Sequence, residues 1–234
     1  MIPAREDDPY IAWRPVFPEP VLRPGATALL VIDMQRHSAD PAGPTLNKLR
    51  AAGFADVADG FAARLGRIVP NIRRLQDCCR SVGVEVIHVR IASMTADGRD
   101  RGPSHKKLGH AAAPGSPAAE ILPELAPVGD ELVFAKTAGS VFCATNIEYV
   151  LRNLGVTTLI VAGIVTTGCV HTAVTDAADR GFHVVLVEDG CGALLPEMHW
   201  ASIRMLRDVY AKVMTTDDVL ERLHALALGS AAAG

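Results

Sequence analysis

Three residues of this chain have side chains that can act together on a carbonyl: Asp33, Lys136 and Cys169. A carboxylate beside a thiol can take its proton, and an ammonium between them can hold the thiolate and tune the acid. Together they form an activated nucleophile with its own acid and base. Cys169 falls near the carboxyl end of an apolar run at 158–162 and at the start of an alanine-rich helical segment at 171–180. Unpaired backbone N–H groups and the helix dipole at such a position favour an anion, which predicts that the thiolate forms easily and that Cys169 is the fastest thiol to label. The small-residue turn 164–169 supplies N–H groups for an oxyanion. Taken singly, each residue also has an inert reading. Free cysteine packs in cores, Asp33 can cap a turn, and Lys136 can be a solvated charge.

The elements around these residues must bring them together. Continuous Val/Ile-rich runs predict strands at 26–32, 84–91, 132–135, 158–162, 183–187 and 211–214. Helical spacing of Phe61, Leu65, Ile68, Ile72 and Leu75 predicts a helix over 57–82 closed by Gly83. Further helices are expected at 146–153 after Thr145, at 171–180 and at 196–208, with a short last one capped by Asp217. Residues 44–53 read equally as loop or short helix, and 92–119 as a long loop without a period. Alternating strands and helices imply a single doubly wound, mostly parallel six-stranded sheet covered on both faces, an α/β Rossmann-like fold. Its site would lie beyond the carboxyl ends of the strands. Asp33, Lys136 and Cys169 all occupy such ends. The domain is expected over 26–225, preceded by a proline-rich arm at 1–25 laid over the body or a neighbouring subunit, and followed by a frayed tail at 226–234.

Composition narrows the functional class. The chain has 234 residues, 49% hydrophobic and 21% charged, with a net charge of -3, which gives no basic footprint for nucleic acid. No apolar stretch reaches the length of a membrane span, and charges at Arg5, Asp7 and Asp8 break the region where a signal peptide would need its apolar core. Five cysteines without paired spacing suit a reducing cytoplasm.

Three blocks carry a wider resemblance. LLVIDMQ (29–35), FAKTAGSVFCATNIEYVLRNLGV (134–156) and VAGIVTTGCVHTAVTDAADRGFHVVLVEDGC (161–191) resemble the isochorismatase-like cysteine hydrolases in order and spacing. The resemblance implies that Asp33 is the acid/base, Lys136 the triad lysine and Cys169 the nucleophile. It also implies a non-proline cis peptide at Ile164–Val165 and an oxyanion hole from the N–H groups of Val165 and Cys169. The reaction implied is cysteine-dependent hydrolysis of a C–N bond through a thioester, in a homodimer or homotetramer acting on a small molecule. The lead-in DPYIAWRP and the pattern KTAGSVFCATNIEYVL are similar to the ureide branch, which includes biuret and ureidoacrylate amidohydrolases. Nicotinamidases of the family carry an Asp-x-His metal motif where this chain reads Arg90-Ile-Ala-Ser-Met-Thr-Ala-Asp-Gly98, so neither a catalytic metal nor another cofactor is expected. His105 and His110 are read as solvated loop residues. Arg36-His37-Ser38 departs from the Asp-Phe common after Asp-Met-Gln, which leaves the substrate open.

Gln35 and Phe142 are the candidate substrate contacts, with Trp13 as a further candidate wall; orienting the Asp33 loop, core packing and interface are their respective alternatives. His171 is expected to contact a neighbouring helix rather than Cys169. Isochorismatase-type vinyl-ether hydrolysis, and a degenerate member that binds without turnover, are the rival functions.

Overall fold

The computed structural model describes residues 3–231. Its central strand β1 (Thr27–Ile32) is buried at all six positions, because both its faces are covered and both its edges are paired. That is the environment a continuous ATALLVI run demands, since such a run offers no polar face to water. After β1 come α1 (Arg36–Ala39), α2 (Pro44–Ala51), the long α3 (Ala55–Val82) and β2 (Glu85–Ile91). They are followed by α4 (Pro103–Leu108), β3 (Leu132–Lys136), α5 (Val141–Ala144), α6 (Ile147–Asn153) and β4 (Thr158–Ile164). The last part is α7 (His171–Asp179), β5 (His183–Gly192), α8 (Pro196–Leu206), β6 (Lys212–Met214) and α9 (Thr216–Ala231).

The six strands pair in the order β3-β2-β1-β4-β5-β6, all parallel. The winding direction reverses between β1 and β4, and the crevice beyond their carboxyl ends is where such sheets hold their sites. One core lies between the sheet and α3, where Phe61, Leu65, Ile68, Ile72 and Leu75 are all buried as their spacing predicts. The other lies under α5 to α8. Gly83 closes α3 at φ 72, the left-handed cap that a glycine reaches without strain.

Several expectations are corrected. Residues 44–53 are largely the helix α2, and the stretch 92–119 contains α4 and a short turn at Pro117–Ala119. β5 runs five residues past 187 because its ladder with β4 is bulged. β5 advances from Leu186 to Cys191 while β4 advances from Val161 to Gly163. The last helix is long and continues to Ala231, so residues 226–231 are helical; 232–234 lie outside the described residues. Its start is held by Thr215 and Asp218, each donating a backbone N–H to the other's side chain (2.9 and 3.2 Å), while Asp217 pairs with Arg74 instead. Thr145 accepts from the Ile147 N–H at 3.1 Å, as a cap for α6. The proline-rich arm lies on its own body. Asp8 is fully buried between Arg204 (2.8 Å) and Arg207 (2.9 Å), and Ile11 and Leu22 of the arm are buried as well.

Candidate active site

Asp33 directly follows β1, Lys136 is the last residue of β3, and Cys169 lies in the turn beyond β4. β1 delivers Asp33, whose N–H donates to the Val89 carbonyl of β2 at 2.8 Å and whose φ is 54. Aspartate tolerates this left-handed conformation better than most residues, and the turn it makes aims the chain away from the sheet. β3 ends on Lys136, whose long side chain crosses the end of β2 to reach the switch point. Its Nζ lies 2.9 Å from Asp33 Oδ2, 3.1 Å from Cys169 Sγ and 3.1 Å from the Ala138 carbonyl. The ammonium thus donates to the sulfur and to the Ala138 carbonyl and is ion-paired with Asp33. Both Asp33 and Lys136 are essentially inaccessible to solvent, while Cys169 is partly open to a cavity of about 480 Å³.

Burial pushes the Cys169 thiol up to about 12, the Asp33 charge beside it adds to the effect, and Lys136 opposes it. For Lys136, burial works against the ammonium, but Asp33 and Cys169 outweigh it and the net shift is upward. Burial and the neighbouring Asp33 thus favour the protonated sulfur, while Lys136 keeps its ammonium. Both effects oppose the easily formed thiolate that the helix end alone would favour. Cys169 sits in a wide helical turn, Thr166–Val170, ahead of α7, where burial and then the anion at Asp33 raise the thiol. Exposed Cys143 is accordingly expected to alkylate before Cys169 when the folded protein meets iodoacetamide at pH 7.5. Peptide mass spectrometry over a time course reads the order. Faster labelling at Cys169 would mean that the thiolate is preformed after all.

The turn before Cys169 is fixed from two sides. Gly163 has φ 125, and a Cβ there would stand 2.1 Å from the Ile32 carbonyl oxygen, so only glycine lets β4 approach β1 this closely. The Ile164–Val165 peptide is cis, as the resemblance implies. From α8, Ser202 Oγ donates to the Thr166 carbonyl at 2.9 Å, and His199 Nδ1 lies 2.8 Å from Thr166 Oγ1. His171 reaches Ser202 at 2.7 Å, the neighbouring-helix contact expected of it. Val165 and Cys169 both border the cavity.

Against known families, the isochorismatase domain matches residues 27–218. The chain belongs to that family. It is similar to an N-carbamoylsarcosine amidase from an Arthrobacter species, 30% identical over 68% of this chain and 62% of that protein. The chain thus spans somewhat less than two thirds of that relative's length. It is also similar to a maleamate amidohydrolase from Pseudomonas putida, 27% identical over 86% of this chain and 88% of the relative. The crystal structure of a cysteine hydrolase from Pseudomonas syringae pv. phaseolicola 1448A shares its fold with a TM-score of 0.78 and 26% identity, over 92% of this chain and 99% of that one.

In this isochorismatase-family chain, the two candidate substrate contacts serve other ends. Gln35 is fully buried, donating to the carbonyls of Ile91 and Ala118 (2.9 Å each) and accepting from the Ile91 N–H. It ties the Asp33 turn to the end of β2 and to the long loop, so its amide is already used. Phe142 packs in the core against Phe182, with Arg180 over its ring, and does not border the cavity. Trp13 is exposed against Arg14 and is no part of the cavity wall. The actual walls are Leu49 and Phe54 around α2, Phe61 of α3, and Ile91, Ile164 and Leu194.

The loop histidines are not solvated. His37 and His105 are buried, His37 Nε2 is 3.3 Å from His110 Nδ1, and His105 meets His110 edge to face. Burial, then His110 and Lys48, hold His37 down at about 4; burial, then Lys136 and other cations, hold His105 at about 4. Among the described residues no cluster of three or more His, Cys, Asp or Glu is arranged to hold a metal ion. Nor is any helix among them long and apolar enough to cross a membrane.

Proposed function

We propose that this protein is a cysteine-dependent amidohydrolase that cleaves the C–N bond of a small linear amide or ureide. The observation that carries the reading is the single ammonium of Lys136 held at 2.9 Å from Asp33 and 3.1 Å from Cys169 at the floor of a closed-in cavity. The similarity to an N-carbamoylsarcosine amidase and a maleamate amidohydrolase supports the bond class.

The mechanism follows from the charge states. Because the sulfur rests as a thiol, its proton leaves as it attacks, and Asp33 is the acceptor beside it. Sγ forms a bond to the carbonyl carbon, and the oxygen takes the displaced electron pair facing the N–H groups of Val165 and Cys169. Collapse breaks the C–N bond while Asp33 returns the proton to the departing nitrogen. The product bound to the enzyme is a thioester, or a thiocarbamate from a ureide. Water then adds with Asp33 taking its proton, the C–S bond breaks, and the proton returns to sulfur. Lys136 stays charged throughout, since its shift is upward, and balances the negative charge as it moves between Asp33, Cys169 and back.

The test is a panel of ureides, carbamoyl amino acids, dicarboxylic monoamides and aromatic amides read by ammonia release, with isochorismate read by pyruvate release. Ammonia from at least one small amide, together with a mass increase on the Cys169 peptide in acid-quenched enzyme, is the expected result. Pyruvate without ammonia would favour vinyl-ether hydrolysis, and no turnover across the panel would count against an amidohydrolase.

A further inference from the structure

The N–H groups of Val165 and Cys169 can receive one oxygen only while the turn between them keeps its shape. Part of that shape is held within the turn and by α7. The Val165 carbonyl accepts from the N–H groups of Gly168 (2.9 Å) and Val170 (3.3 Å), and Thr172 Oγ1 lies 3.1 Å from the Gly168 carbonyl and 3.2 Å from that of Cys169. Thr166, fully buried beside Val165, is held by α8 instead. Its carbonyl accepts from Ser202 Oγ at 2.9 Å, and its hydroxyl lies 2.8 Å from His199 Nδ1. The two α8 residues are three positions apart and so share one face of the helix. Ser202 Oγ also meets His171 Nδ1 at 2.7 Å.

Counting protons gives that last contact a direction. A serine hydroxyl has one proton and a carbonyl can only accept, so the Ser202 proton points at Thr166. The Ser202 oxygen then accepts from His171, which places the imidazole proton on Nδ1. Burial holds His171 below its ordinary range, so the ring is neutral and this is its single proton. The result is a bridge from the His171 N–H through the Ser202 oxygen to the Thr166 carbonyl. It joins residue 166, next to Val165, to residue 171, two beyond Cys169, and so closes around the turn that carries both oxyanion donors. Ser202 is only 4% exposed, and neither it nor His171 or His199 borders the cavity. On the buried face of α8, beside Ile203 and Leu206, a hydroxyl costs free energy unless it is bonded. Packing alone would be met by alanine.

We propose that Ser202 is the positioning residue of the oxyanion turn. Through the bridge between Thr166 and His171 it sets the spacing of the Val165 and Cys169 N–H groups, and it acts on the transition state without touching substrate. The proposal rests on the amidohydrolase reading of the site, in which those two N–H groups face the oxygen. The effect of Ser202 is therefore confined to reactions that develop charge on a carbonyl oxygen. Attack of the same sulfur on a saturated carbon makes no use of it.

Two reagents for Cys169 separate these cases. p-Nitrophenyl acetate acylates sulfur through a tetrahedral oxyanion, whereas iodoacetamide alkylates it by displacing iodide. At pH 7.5, Ser202→Ala should lower p-nitrophenolate release, counted above the Cys169→Ala background, by about tenfold to thirtyfold. That is less than the roughly 10²–10³-fold lost when an oxyanion donor is itself removed. Alkylation of the Cys169 peptide, followed by mass spectrometry, should stay close to the parental rate. Ser202→Thr keeps the hydroxyl and should restore most of the acylation. His171→Ala removes the other end of the bridge from a half-buried position, and should give the same selective loss at about threefold, which keeps the test open should Ser202→Ala fold poorly. Unchanged acylation in the variants, an equal change in both reactions, or no Cys169-dependent acylation by the parent would overturn the proposal. A selective loss in a protein that releases no ammonia from the amide panel leaves the positioning role standing and removes the amidohydrolase reading. Ammonia release that Ser202→Ala leaves unchanged keeps the amidohydrolase reading and removes the positioning role.

Discussion

Cys169→Ala is expected to lower amide turnover by about 10⁴-fold or more while leaving the fold intact. The magnitude follows from the role rather than from packing. In the proposed mechanism Sγ forms the bond to the acyl carbon, and no other sulfur among the described residues is placed to replace it, since Cys143 is exposed on α5 and Cys191 lies buried behind the bulge of β5. The structural cost is small because Cys169 lies in a turn open to the cavity, and alanine removes one atom from its wall. Near-ultraviolet circular dichroism and the melting temperature should therefore stay close to the parent. Asp33→Asn should lose nearly as much activity, because a thiol held up at about 12 has no other base beside it among the described residues. The double variant should be no worse than the worse single one, as residues that act as one unit lose their effect together. Retention of more than a tenth of parental ammonia release by Cys169→Ala would remove cysteine from the mechanism.

What could be read from the sequence depended on whether the responsible physics was local. Strand ends are local. A Val/Ile run that stops at Asp33, another that stops at Lys136 and a third before the Gly168-Cys169 turn place three side chains on one edge of any parallel sheet, whatever the loops do. The same logic made α3 legible from five apolar positions. Gln35 was misjudged because its partners, Ile91 and Ala118, lie 56 and 83 residues away, the second in a loop with no period. His37, His105 and His110 escaped for a related reason. They are separated along the chain, and only the fold of that loop over α1 and α2 packs their rings together. The thiolate expectation left out a different kind of information. It weighed a helix end, which is visible in the sequence, but not burial and a carboxylate from another strand, which are stronger and are set by tertiary structure. The hold of His199 and Ser202 on Thr166 has a faint signal, two polar residues on the inner face of an otherwise apolar helix, which asks for a buried partner.

Lys136→Met should separate the structural and chemical roles of the lysine, and its effect on stability should be the largest of any substitution at this site. Methionine fills a similar volume but leaves the Asp33 carboxylate in a solvent-free position without its counter-ion. Removing one member of a buried ion pair costs about 3–5 kcal/mol, against less than about 1.5 kcal/mol for a volume-conserving swap in an apolar site. Charge thus decides the outcome, and the melting temperature should fall by roughly 10 °C. Adding Asp33→Asn to Lys136→Met should recover most of the lost stability, since the amide carries no charge to strand. The recovered protein should remain inactive, having neither the base for the thiol proton nor the cation that follows the moving charge. Thermal melts of the four proteins form a double-mutant cycle whose coupling measures the pair in place. Additive losses in that cycle would mean that Asp33 and Lys136 do not share their charges, and the mechanism built on their contact would have to be abandoned.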